Sequence, residues 1–266
     1  MDTTTLKESA SQRPALDPAA LAARRGRQWS LRVMAVRQLT PRMRRIELTG
    51  ADLGDFKPNA GQELIVLIPA SANETLRRHY TIRRYDAESR LIDIDVFLHG
   101  MSPGNRWAHG VRVGDRVEVN GPRGRIRADE TADWHLFGGD ETSIPAIASI
   151  CKSLRAADQA YAFIQIGDPS EIQPIDSPAH LQVQWIMRNT ANGLSNADSH
   201  ASGELRESIA KFSLPPGRGH AYLTGETQTA RAVRNDLFAR GLDRSQVSAE
   251  GYWRLGRIGS HDHIDD

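Results

Sequence analysis

The chain reads as a small antiparallel β-barrel of six strands followed by an α/β unit built on a parallel sheet. Two observations predict this. Between residues 29 and 130, short segments of alternating apolar and polar residues recur with turn signals between them. Beyond residue 130 the period changes, and apolar strands alternate with stretches spaced like helices.

In the first part, Leu31, Val33 and Ala35 alternate with polar partners from Trp29 onward, and Ile46-Glu47-Leu48 alternates again after Thr40-Pro41. Gly50 to Gln62 is turn-rich, with Pro58 and Gly61. Glu63 to Ile68 suits a buried strand, and the segment Arg78 to Arg83 follows it. Ile92, Ile94 and Val96 share one face of the next strand. His99 to Asn105 breaks that strand, and Arg106-Trp107-Ala108 begins a short helix. Val111 to Asn120 alternates around Gly114-Asp115, and Gly121-Pro122-Arg123-Gly124 closes the run.

In the second part, Trp134 to Phe137 is a strand and Gly138-Gly139-Asp140-Glu141-Thr142 a tight turn. Ile144, Ile147, Ile150 and Leu154 keep helical spacing, with Pro145 near the start where proline is tolerated. Strands follow at Tyr161–Ile166, Leu181–Met187, His220–Thr224 and Val247–Trp253. Helical faces lie at Leu205, Ile209 and Phe212, and at Ala230, Val233, Leu237 and Phe238. Asn189 to Ala201 reads as a polar loop. The divisions are a loose N-terminal segment 1–28, the barrel 29–130, the α/β unit 131–256 and a polar tail 257–266.

Composition sets bounds. With 34 basic and 33 acidic side chains the formal charge is +1, unlike the one-signed field of a nucleic-acid binder. The lone cysteine, Cys151, permits neither an internal disulfide nor a cysteine-built metal cluster, and its neighbours Ile147, Ile150 and Leu154 mark it as a packed helical thiol. No apolar run reaches bilayer length, and Met1 to Gln28 lacks the apolar centre of a signal peptide. We therefore expect a soluble cytoplasmic monomer without membrane insertion. His261-Asp262-His263 reads as solvated tail, and no metal site is expected.

The chemistry concentrates in Arg78-His79-Tyr80-Thr81-Ile82-Arg83. On a strand Arg78 and Tyr80 project to one face, Thr81 and Arg83 to the other. Guanidinium, phenol and hydroxyl together can hold a flat, phosphate-bearing ligand. An edge strand with surface arginines has the same pattern.

Arg78-x-Tyr80-Thr81-x-Arg83 in a barrel ahead of an α/β half resembles the flavin motif of the ferredoxin-reductase superfamily. His99-Gly100 with Gly104-Asn105-Arg106-Trp107-Ala108 resembles the second flavin segment of the siderophore-interacting proteins. Gly139 to Ala146 and Gly251-Tyr252-Trp253-Arg254-Leu255-Gly256 are similar to two further signatures of that family. Four such motifs in order, from about Trp29 to Gly256, are specific together. The resemblance implies an FAD-binding barrel, an NAD(P)H-binding α/β domain and a cytoplasmic ferric-siderophore reductase. It implies that Arg78 meets the FAD diphosphate, Tyr80 lies along the isoalloxazine and Thr81, the catalytic candidate, reaches the N5 edge. His79, Arg83, Val96, Phe97, His99, Gly100, Gly104, Arg106, Trp107, Ala108 and Trp253 complete the expected cofactor set. Trp107 reads equally as core filler and His99 as a structural histidine.

In the turn after the first α/β strand, Thr142 is expected near the nicotinamide. Asp140 and Glu141 would repel a diphosphate, and Asp140 or Thr142 also suits a helix N-cap. Arg188, at the end of its strand, reads as an exposed cation or as a partner for a ribose 2′-phosphate, which favours NADPH over NADH. Arg254 beside two aromatics, with Lys57, Arg125 and Arg127, is the expected basic rim for an anionic ferric siderophore. The 10 residues beyond Gly256 leave no length for a C-terminal helix, which in the family implies a direct nicotinamide donor, with a ferredoxin the alternative. A flavin or quinone reductase, and a siderophore-binding flavoprotein without turnover, are the rival readings.

Overall fold

A computed structural model describes residues 27–71, 74–188, 203–257 and 262–264. The polar loop expected at Asn189 to Ala201, almost all of the expected N-terminal segment and much of the tail lie outside them.

Six strands close the first unit: β1 (Gln28–Gln38), β2 (Met43–Thr49), β3 (Glu63–Ser71), β4 (Glu74–Asp86), β5 (Leu91–Phe97) and β6 (Arg116–Arg123), in the order β1-β2-β5-β4-β3-β6. All neighbours are antiparallel. The alternation read from the sequence sends Leu31, Val33, Ile46, Leu48, Ile92 and Ile94 into one core, each at most 2% exposed. Closure leaves the barrel no open edge. Helix α1 (Pro103–Gly110) starts at Ser102, whose side chain accepts from the Asn105 amide at 3.3 Å, with Pro103 in the first turn.

The second unit carries β7 (Trp134–Asp140), β8 (Gln159–Ile166), β9 (His180–Met187), β10 (Gly219–Glu226) and β11 (Val247–Trp253) as a parallel sheet in the order β11-β10-β7-β8-β9. The chain steps outward from β7 through β8 to β9, then returns to build β10 and β11 on the other side. The C-terminal ends of β7 and β10 therefore form the topological switch point, where open α/β sheets bind ligands. Helices α2 (Ile144–Ser153), α3 (Glu204–Lys211) and α4 (Thr227–Ala239) cover the faces. Cys151 is fully buried in α2, and burial pushes its thiol up to about 12. Among the described residues, no helix is long and apolar enough to cross a membrane.

Two expectations need correction. Gly138, Gly139 and Asp140 belong to β7, and the turn occupies Glu141 to Ser143. The tail beyond 256 is not merely solvated, because Asp262–His263 add an antiparallel edge strand, β12, beside β11 and Ile264 is 4% exposed. Ile264 packs into the core cluster of β10, β11 and α4, and its carbonyl accepts from Arg234 at 2.6 Å.

Candidate functional site

A cavity of about 510 Å³ opens where the barrel meets the switch point. Strand β4 gives it Arg77, Arg78, His79, Tyr80 and Thr81, and β5 gives Asp95, Val96 and Phe97. The following loop and the start of α1 add His99, Gly100 and Gly104, Thr142 comes from the β7–α2 turn, and residues 252–257 close the far side.

Arg78 and Tyr80 meet over Gly104. A Cβ there would lie 2.8 Å from the Tyr80 hydroxyl oxygen and 3.3 Å from Arg78 Cγ, so only glycine lets α1 approach the strand this closely. Behind Tyr80, Trp107 stacks at 5.7 Å between ring centroids. Burial raises the Tyr80 phenol far above its usual range, so it stays neutral. Gly100 has φ +60° with nothing within 4 Å of where a Cβ would stand, leaving open space in that wall.

Thr81 is 7% exposed and hydrogen-bonds the Tyr252 hydroxyl, which also bonds Thr224. Burial raises the Tyr252 phenol well above its usual range. Trp253 donates from its indole nitrogen to Asp140 Oδ2 at 2.8 Å. His99 lies between Phe97, stacked at 6.0 Å, and Trp253, tilted at 6.3 Å. Burial holds His99 below the ordinary imidazole range despite Asp140 and Glu141, so it is neutral near pH 7. Its backbone carbonyl accepts from the Asn105 side chain.

The acids around the cavity are matched. Glu63 contacts His79 Nδ1 at 2.7 Å and Arg123 at 3.6 Å. Asp95 takes both arms of Arg45, at 2.7 and 2.8 Å. Four arginines, Arg77, Arg78, Arg254 and Arg257, line the same space, so its field favours an anion.

Several predicted residues stand elsewhere. Arg83 does not line the cavity and lies 3.9 Å from Asp95, which does. Arg106 is exposed and donates to the Met101 carbonyl at 2.5 Å, while Ala108 is wholly buried in the barrel core. Trp107 backs the site without lining it. Lys57, Arg125 and Arg127 are exposed away from the cavity, and Arg125 borders a different one. All three lie in connecting segments, and sequence shows their charge but not which side of the molecule a connection crosses.

Asp140 is a structural cap. Its Oδ1 accepts from the Thr142 amide at 2.9 Å and hydroxyl at 2.5 Å, and its Oδ2 from the Glu226 amide at 2.9 Å and Trp253. Four donors saturate the carboxylate.

Arg188 corrects the reading most. Its side chain is 1% exposed, and Nη1 and Nη2 reach Glu141 Oε1 and Oε2 at 3.2 and 2.6 Å. The Gly167 amide donates to the same Oε1 at 2.7 Å. An arginine at a strand end looks solvated in sequence, but burial requires a counter-charge and Glu141, 47 positions earlier, supplies it. Conversely Arg77, Arg257 and Glu63 line the cavity without having been predicted. Only the neighbouring motif residues hinted at them.

The barrel and the switch-point sheet define the class, a ferredoxin-reductase-like fold with a cavity where the two meet. A ferredoxin NADP+ reductase from Neisseria gonorrhoeae shares this fold at 12% identity, with a TM-score of 0.66 over 85% of this chain and 99% of that one. The siderophore-interacting protein profile matches residues 132–256, and the siderophore-interacting FAD-binding domain matches residues 63–126. A siderophore utilization protein from T. fusca is 31% identical, with a TM-score of 0.80 over 90% of this chain and 97% of that chain. Ferric vibriobactin reductase ViuB of Vibrio cholerae is 28% identical over 236 residues, 80% of this chain and 84% of that protein. The chain belongs to the siderophore-interacting protein family.

Proposed function

We propose that the chain is a cytoplasmic FAD-dependent reductase that takes electrons from NADPH and delivers them to Fe(III) held in an anionic siderophore. One observation carries this reading: four arginines, two tyrosines, a tryptophan and a buried threonine surround a single cavity at the switch point.

The donor set fits FAD. Arg78, fixed over Gly104, offers a planar fork to a diphosphate. Tyr80, kept neutral and braced by Trp107, offers a flat apolar face to the ring system. The Thr81 hydroxyl, steadied by Tyr252, can donate or accept at the ring edge. The open wall at Gly100 leaves room for the cofactor's bulk. When bound, FAD would supply a carrier that takes two electrons as one hydride and returns them singly.

Arg254 and Arg257 attract the anionic ferric chelate toward the cavity mouth. Thr142 and Pro145 border the opposite lip, where the nicotinamide enters. The chain need supply no nucleophile and no iron ligand, because hard oxygen chelators hold Fe(II) less tightly than Fe(III) and reduction itself releases the metal. The choice of NADPH is supported by likeness to the NADPH-dependent ferric-chelate reductase of Escherichia coli, 25% identical over 175 residues, 64% of this chain and 63% of that protein.

The test is an anaerobic titration of the purified yellow protein with NADPH, followed by a ferric catecholate chelate. Bleaching of the flavin band by NADPH and its return with the chelate are expected. A flavin that stays oxidised under excess NADPH and NADH would mark a binding protein without turnover. Faster turnover of quinones than ferric chelates at matched driving force would mark a quinone reductase.

A further inference from the structure

A second cavity of about 510 Å³ lies at the opposite end of β11 and shares no lining residue with the first. Ser248 opens into it, beside Arg125, Arg234 and Arg244, the acid Glu250 and an apolar wall that includes Phe238 and Ile264.

Behind Ser248 stands a relay of side chains. Its hydroxyl oxygen is 2.9 Å from His220 Nε2, and His220 Nδ1 is 3.0 Å from Asp129 Oδ2. The three residues come from β11, β10 and the segment joining the two units. A carboxylate can only accept, so Nδ1 carries the imidazole proton, Nε2 is the acceptor and Ser248 donates to it. Asp129 is fixed in turn by the Thr131 amide at 2.9 Å, the Thr131 hydroxyl at 2.6 Å and Arg218 Nη2 at 2.9 Å. His220 is 7% exposed, and burial holds it below the ordinary imidazole range against the pull of Asp129. A neutral base, oriented by a carboxylate and bonded to a hydroxyl that borders a cavity, is the arrangement that activates a serine.

We propose that Ser248, His220 and Asp129 form a second, hydrolytic site that cleaves carboxylic esters bearing an anionic group. Ser248 Oγ forms a bond to the ester carbonyl carbon as its proton passes to His220 Nε2. The carbon–oxygen bond to the alcohol then breaks, and the alcohol leaves with that proton. Water, deprotonated by Nε2, attacks the acyl carbon, releasing the carboxylic acid and restoring the serine hydroxyl. The three arginines outnumber the one lining acid, Glu250, so the cavity's net positive field selects the anionic group, and Phe238 and Ile264 pack the ester's apolar body. Arg218 shares Asp129 Oδ2, which tempers the base and makes the hydrolysis slow.

The full chain is incubated at pH 7.5 with a fluorophosphonate, and the labelled peptide is read by mass spectrometry. Initial rates are measured on 4-acetoxybenzoate and on its neutral methyl ester. The expected result is an adduct on Ser248 and a kcat/KM for the anionic ester at least about tenfold above that for the neutral one, a difference of about 1.4 kcal/mol. Ser248→Ala and His220→Gln should each lower hydrolysis about a hundredfold, the usual scale of lost acid–base assistance. NADPH–ferricyanide reduction by Ser248→Ala should stay unchanged, which separates this site from the flavin cavity. A folded protein without an adduct on Ser248, or hydrolysis that survives Ser248→Ala, overturns the proposal. Equal rates on the two esters overturn the anionic substrate class.

Discussion

Removing the Arg188 guanidinium isolates a charge that the fold cannot hydrate. In Arg188→Ala, Glu141 keeps the Gly167 amide at 2.7 Å but loses contacts at 3.2 and 2.6 Å, in a place where its side chain is 2% exposed. Breaking one partner of such a buried pair costs about 3–5 kcal/mol, because the survivor stays desolvated and uncompensated. At roughly 2–4 °C per kcal/mol for a chain of this size, Tm should fall by about 6–20 °C. The double variant Arg188→Met with Glu141→Gln removes both charges and should recover most of that loss. Circular-dichroism melts give the stabilities, and kcat/KM for NADPH and NADH gives the nucleotide preference, which Arg188→Ala should leave unchanged. A variant that melts within 1–2 °C of the parent yet loses about tenfold in its preference for NADPH would show that Arg188 serves a ribose phosphate, a contact of about 1.4 kcal/mol, and refute the ion-pair account.

Arg78→Ala and Tyr80→Ala should each purify as folded, largely colourless protein, since a charge-assisted phosphate contact contributes about 1.5–3 kcal/mol, with flavin absorbance per protein as the measure. Arg254→Ala should raise KM for an anionic ferric siderophore while leaving ferricyanide reduction nearly unchanged; equal losses with both acceptors would assign Arg254 to the flavin instead. Stability should fall as pH drops through 6.5, because burial lowers His99, His135 and His220 and the unfolded chain then binds more protons than the folded one. Glu171, whose carboxyl burial raises, works in the other direction, and a Tm at pH 5.5 equal to or above that at pH 7.5 would refute the histidine account.

The sequence by itself determined the order of elements, because side-chain period is local: a repeat of two marks a barrel strand and a helical repeat marks α2 or α4 wherever they lie. It also determined that Arg78 and Tyr80 share one strand face, but the helix expected from Arg106 begins at Pro103, and only the fold packs its Gly104 against them. It did not determine which distant residues meet. That depends on strand order, and the return of β10 to the flank of β7 brings Glu226 to Asp140 and Trp253 over the same carboxylate. Arg188 and Glu141 became a pair through the outward run from β7 over β8 to β9, and Asp129, His220 and Ser248 a relay through the return of β10 and β11. Lys57, Arg125 and Arg127 carry the same charge as Arg254 yet stand outside its cavity, because charge is written in the chain whereas proximity is set by packing. The sequence names the ionic groups; the tertiary structure decides which of them lose water, and a charge that loses water must find its partner in the fold.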